Sequence, residues 1–213
     1  MKRSTSSERA LVLAPRGRDA LIAVAILKEA DLEAKPCTSV LDLVRELDLG
    51  AAFVIVTEEA LATADLGPLA AWLDDQEEWS DLPFVLLTRG GGGLERNPAA
   101  KRYLDVLGNV AFLERPFHPT TLVSLARSAL RARRRQYEAR KRLAALAESE
   151  ARFRNMADIA PVMTWVTDGS GSCTYLSRRW YEFTSQTPQQ AEGFGWLDAI
   201  HPAHYPCNAV ALD

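Results

Sequence analysis

The chain has 213 residues, of which 47% are hydrophobic and 25% charged, enough for one or two domains with buried cores and unlike disordered or collagenous compositions. Its net charge of -3, from 25 basic and 28 acidic residues, excludes an overall electrostatic pull toward nucleic acid or anionic lipid. No apolar stretch reaches the roughly 18 to 20 residues of a bilayer span, and residues 1–8 are polar, so a cytoplasmic protein without membrane contact is expected.

Residues 1–9 read as a disordered leader. An apolar run over 10–13 comes next, then the breaker Ala14-Pro15-Arg16-Gly17, then Leu21, Ile22, Val24, Ala25 and Leu27 at helical spacing. That pattern predicts strand, loop and helix. A weaker strand over 34–37 precedes a helix carrying Val40, Leu41, Val44 and Leu47, which stops near Gly50. Residues 52–56, Ala-Phe-Val-Ile-Val, form the continuous apolar run of a strand covered on both faces. The alternation continues with a helix over 66–72, a strand over 84–87, a loop containing Gly90 to Gly93, a helix over 99–107 and a strand over 110–113. Five apolar strands alternating with helices predict an α/β domain with a parallel, doubly wound sheet.

From Pro119 the sequence predicts one helix with no stop signal before Ala160-Pro161. Leu125, Ala129, Ala132, Gln136, Ala139, Leu143, Leu146, Glu150 and Phe153 fall along it at steps of four and three, a near-heptad seam that predicts a parallel homodimer. The alternative is a lone solvated helix. Beyond Pro161 two aromatic-rich stretches, 162–166 and 173–176, flank the turn Asp168-Gly169-Ser170-Gly171 and predict a hairpin, followed by a short helix over 177–184.

The first 126 residues resemble a receiver domain of the response-regulator family, which has the flavodoxin-like sheet. The resemblance rests on Phe112-Leu113-Glu114-Arg115-Pro116-Phe117, where the family has an aromatic, two residues, lysine and proline; here arginine replaces the lysine. It implies that Thr88 is the hydroxyl that contacts a phosphoryl group and Phe112 the switch aromatic, with Arg115 and Pro116 beside them on the signalling surface. Receivers also need a carboxylate pair after the first strand, to hold magnesium, and a phospho-accepting aspartate after the third. Here the first position reads Ala14-Pro15-Arg16-Gly17, with no acid before Asp19, and the third strand ends in Thr57. This implies a degenerate pseudo-receiver with Thr57 at the acceptor position, while a shift of one residue makes Glu58 a possible phosphomimetic near Arg115. An atypical magnesium site from Glu58, Glu59 and Asp19, serving a phosphorelay, is the alternative.

From about Glu148 the chain resembles the opening of a PAS domain, as in bacterial sensor histidine kinases. The motifs are Glu150-Ala151-Arg152-Phe153-Arg154, Ala160-Pro161-Val162-Met163-Thr164-Trp165-Val166-Thr167-Asp168-Gly169-Ser170-Gly171, Trp180-Tyr181-Glu182-Phe183-Thr184 and Gly195-Trp196-Leu197-Asp198-Ala199-Ile200-His201-Pro202. Only the first half of the PAS pattern is present, so this α+β segment is expected to be poorly ordered, rearranged or completed by a partner. Cys173 lies in a hairpin strand and not in the long helix of the flavin-binding relatives, so no chromophore or other cofactor is inferred.

The chain is not expected to be an enzyme itself. His118, His201 and His204 are followed by Pro119, Pro202 and Tyr205, where a phospho-accepting histidine is usually followed by an acid, and no nucleotide-binding motif occurs. The three cysteines form no C-x-x-C pair and read as free thiols. His201, His204 and Cys207 lack an evident fourth zinc ligand. Residues 127–142 hold eight basic residues and one acid; a solvated connector face is expected there ahead of a nucleic-acid-binding adaptor. The resulting expectation has four parts: a leader (1–9), a pseudo-receiver (10–126), a helical connector (127–153) and a truncated PAS segment (154–213). Together they form the sensory front of a histidine kinase in a two-component system, acting through other signalling proteins.

Overall fold

The computed structural model describes residues 6–16, 18–89 and 98–201. The chain divides into two compact units, Met1–Arg142 and Leu143–Asp213, so the boundary falls inside the expected connector.

In the first unit the elements run β1 (Ala10–Leu13), α1 (Asp19–Glu29), β2 (Ala34–Cys37), α2 (Val40–Asp48), β3 (Phe53–Thr57), α3 (Glu58–Ala62), α4 (Gly67–Asp74), β4 (Phe84–Arg89), α5 (Pro98–Leu107), β5 (Val110–Arg115) and α6 (Pro119–Ile159), which continues into the second unit. The strands pair in parallel in the order β2-β1-β3-β4-β5, the flavodoxin-like order of doubly wound folds. Every residue of β1 and β3 is buried, because helices cover both faces of a parallel sheet. Successive side chains alternate between those faces. Leu11, Leu13, Val54, Val56 and Leu86 pack with Leu43, Leu69 and Tyr103 from α2, α4 and α5. Val12, Phe53, Ile55, Val85 and Leu87 pack with Leu27 of α1 and Leu122, Ala126 and Leu130 of α6.

Local signals set the helix ends. Ser39 Oγ accepts from Asp42 N at 3.1 Å at the start of α2, and Gly50 follows that helix with φ 98°, a region that favours glycine. Residues 7–9 depart from the expected disordered leader. Tyr137 Oη donates to the Ser7 carbonyl, Arg134 pairs with Glu8, and Arg9 donates to the carbonyls of Gly50 and Glu46 at 2.8 Å each.

The seam of α6 is also used differently from the expected dimer contact. Leu125 and Ala129 pack against the core of their own unit, beside the buried Leu122, Ala126 and Leu130. Ala132 is half-buried, whereas Ala139, Leu143 and Leu146 are exposed. The physical reason is that α6 carries two neighbouring apolar stripes. One of them binds the sheet and draws the adjoining seam positions partly under cover.

In the second unit β6 (Trp165–Thr167) pairs antiparallel with β7 (Cys173–Leu176), followed by α7 (Arg178–Thr184), α8 (Pro188–Ala191) and a 3-10 turn at Gly195–Ala199. Cys173, Leu176, Trp180, Ala191 and Trp196 make its core. Gly195 is required where it stands, since a Cβ there would lie 1.8 Å from the Gln190 carbonyl oxygen. Phe153 of α6 packs edge-on against Tyr175 with ring centroids 5.3 Å apart, and Asp158 Oδ1 accepts from Tyr175 Oη and Arg178 N. Eleven of the fifteen large exposed hydrophobic residues described in the chain lie in this unit, among them Trp165, Phe183 and Phe194. The two-stranded sheet therefore leaves much apolar surface uncovered.

Candidate functional site

Ligands of open α/β sheets bind beyond the carboxyl ends of the strands. At that edge lie Asp19, the first residue of α1; Thr57, closing β3; Glu58 and Glu59, opening α3; Thr88 and Arg89, ending β4; and Arg115, ending β5 before a cis peptide bond to Pro116.

Arg115 is the hub of this edge. Its Nη1 donates to Asp19 Oδ2 at 2.6 Å, its Nη2 to Glu59 Oε1 at 2.5 Å, and its Nε to the Thr88 carbonyl at 3.4 Å. Arg89 Nε reaches the same Glu59 oxygen at 2.7 Å. Two guanidinium groups therefore share one carboxylate, whose side chain is only 12% exposed. Burial alone would raise the Glu59 pKa. Its own backbone amide and the bonds from Arg89 and Arg115 outweigh that and hold it at about 2, so it is ionised at neutral pH.

Thr57 is 3% exposed. Its Oγ1 accepts from Ala60 N at 3.3 Å, capping α3. Glu58, considered as a phosphomimetic near Arg115, instead lies against β4, where its Oε2 accepts from Arg89 N at 3.5 Å. The carboxylate held by Arg115 is that of Glu59. The two differ because α3 starts at Glu58 and turns successive side chains by about 100°, which sends Glu59 and not Glu58 toward β5.

Thr88 is half-buried at the end of β4, Phe112 packs partly buried against the cluster containing Leu86 and Tyr103, and Pro116 is exposed. The edge thus brings Thr57, Glu58, Thr88 and Arg115 together. Of the expected seam, it does not involve Leu125, Ala129, Ala132, Ala139, Leu143, Leu146 or Phe153. Gly90 to Gly93, His204 and Cys207 lie outside the described residues. No group of three or more His, Cys, Asp or Glu side chains suited to a metal ion occurs among the described residues, and no described helix is long and apolar enough to cross a membrane.

Two of the acidic residues of this edge, Asp19 and Glu59, are therefore neutralised by a cation built into the chain. Sequence reasoning did not pick out Arg89 as a second partner of Glu59. The signal for α3 was present in Thr57-Glu58-Glu59-Ala60, a hydroxyl before two acids and an apolar run.

No family model matches the chain. A stretch of 63 residues is 60% identical to the uncharacterized protein y4lL of Sinorhizobium fredii (strain NBRC 101917 / NGR234), covering 30% of this chain and 8% of that protein. The chain spans less than a tenth of that relative's length. Among solved structures it is similar to NtrX from Brucella abortus, with 19% identity, a TM-score of 0.50, and 62% of this chain and 29% of that one covered. It is also similar to a response regulator receiver protein from Sinorhizobium medicae WSM419, with 16% identity, a TM-score of 0.46, and 60% and 97% covered. At 19% identity the likeness to NtrX concerns the fold, and the sheet order agrees with it.

Proposed function

We propose that this chain is a phosphorylation-independent signalling module of the two-component kind. A pseudo-receiver is coupled through α6 to a PAS-like segment, and the two form the sensory front of a histidine kinase. The observation that carries the reading is the Arg115 clamp on Asp19 and Glu59 beside the capped hydroxyl of Thr57. A receiver takes up phosphorus on a carboxylate assisted by a divalent ion, which needs several anionic oxygens free to coordinate it. At this edge the acceptor position is a hydroxyl already engaged with its own helix, and two acids are paired with arginine. Signal transfer is then conformational: a protein partner that favours one arrangement of β5 and α6 shifts their equilibrium. A second copy of the chain joins along the exposed seam residues Ala139, Leu143 and Leu146. The uncovered apolar surface of the second unit supports a partner or further chain completing that unit.

The test is incubation of the whole chain with magnesium and acetyl phosphate, and separately with magnesium and beryllofluoride, followed by intact-mass measurement and thermal unfolding. No adduct and no shift in midpoint are expected. A stable adduct would replace this reading with a phosphorelay receiver using Glu58, Glu59 or Asp19.

A further inference from the structure

The loop between α4 and β4 grips α6 beyond the core. Arg133 is 4% exposed, and its guanidinium lies 4.9 Å from the ring centre of Tyr137 and 5.2 Å from that of Trp79. Its Nη1 donates to Ser80 Oγ at 2.8 Å and to Gln136 Oε1 at 2.7 Å, while its Nε has no hydrogen-bond partner among the described residues. Arg140 stacks on Trp79 at 4.7 Å. Gln136, a seam position, donates to the Asp81 carbonyl at 2.7 Å and accepts from Asp81 N at 3.1 Å.

Two features make this contact unusual. Arg133 is a buried cation whose partners among the described residues are neutral, unlike buried Glu46, which is met by both Arg9 and Lys35. Burying a charge without a counter-ion is costly, and the ring faces offset only part of that cost. The contact also engages one seam position, since Gln136 cannot face a partner copy while it is bonded to Asp81.

We propose that Trp79, Arg133 and Tyr137 form an intramolecular latch that withholds the part of the α6 seam at Ala132 and Gln136 from a second copy of the chain, so that a dimer contact begun at the exposed Ala139, Leu143 and Leu146 extends along α6 only when the latch opens. Opening returns Arg133 to water and frees Ala132 and Gln136, extending the contact surface that begins at Ala139, Leu143 and Leu146. The inference rests on the dimer reading above, and its test separates the two.

Self-association of the whole chain is measured by sedimentation equilibrium for the wild type, Trp79→Ala, Tyr137→Leu and the double variant Leu143→Ala/Leu146→Ala. Hydrogen exchange of residues 131–142 is followed at monomeric concentration. Both latch variants are expected to speed that exchange and tighten self-association about tenfold, the order a lost cation–ring contact supplies. The double variant should weaken association with its exchange unchanged. Unchanged exchange in both latch variants, or faster exchange without tighter association, overturns the latch while leaving the dimer standing. Absence of association in every protein removes the dimer reading and the latch with it. Protection of β1 and β3 amides reports that each variant is folded.

Discussion

Arg115 Nη2 donates to Glu59 Oε1 at 2.5 Å across 56 positions of sequence, joining the end of β5 to the first turn of α3. One guanidinium thereby closes the carboxyl edge of the sheet, since its other arm reaches Asp19 on α1. The fork geometry of arginine makes this double contact natural, and a lysine ammonium is a poor substitute.

Acid should weaken the fold through Glu59. Its pKa in the folded chain is lowered to about 2 from an ordinary 4.5. The stabilisation is therefore complete above the unfolded value and is lost as pH falls from there through the folded one. Urea unfolding at about pH 6 and about pH 3 should show a larger loss for the wild type than for Glu59→Gln. Equal losses would assign the acid sensitivity to other carboxylates.

Replacing Arg115 by methionine removes the clamp but keeps the apolar stem. The expected cost is about 1–3 kcal/mol for losing charge-assisted bonds at a partly buried site. Arg115→Lys should recover part of it by meeting one of the two carboxylates. A shift in the denaturation midpoint with an unchanged slope is the readout, and a midpoint equal to that of the wild type would contradict the assigned role.

Thr57 acts here as a helix cap. Thr57→Val should cost about 0.5–2 kcal/mol through the lost bond to Ala60 N, whereas Thr57→Ser should keep most of it. Thermal unfolding of the two variants side by side decides the matter, because a loss of packing alone would penalise serine more than valine.

Leu130 and Leu146 lie on one helix and should behave oppositely. Leu130 is 6% exposed and Leu146 is 67% exposed. Leu130→Ala is expected to cost about 2–5 kcal/mol of stability, and Leu146→Ala less than about 0.5 kcal/mol. Chemical denaturation at low protein concentration separates them, and sedimentation shows whether Leu146 instead affects association.

The inner strands were readable because a parallel sheet covered on both faces needs unbroken apolar runs, and Phe53 to Val56 leaves little alternative, whereas edge strand β2, with Lys35 and Pro36 exposed, gave a weaker signal. The span of α6 was readable from the absence of a breaker between Pro119 and Ala160. Its packing was not. Leu122, Ala126 and Leu130 form one stripe and Leu125, Ala129 and Ala132 a neighbouring one, and helical spacing alone does not say which meets the sheet. At the carboxyl edge of the sheet, Thr57, Thr88 and Arg115 were located by their places at strand ends. The Glu59 and Arg89 contacts depend on the rotation of a five-residue helix, which no periodicity reveals. The Trp79 and Arg133 stack joins segments more than fifty residues apart through side chains whose local sequence resembles ordinary polar surface.

The buried cap at Thr57 also bears on timing. Acyl phosphates on carboxylates decay spontaneously and so give a signalling protein an internal clock. A threonine hydroxyl, enclosed at the end of β3 and accepting from the amide of Ala60, has no carboxylate to offer and could form only a phosphate ester, never an acyl phosphate. On the phosphorylation-independent reading proposed above, conformations of this unit are set by the moment-to-moment concentration of whatever binds them, with no chemical memory of an earlier encounter.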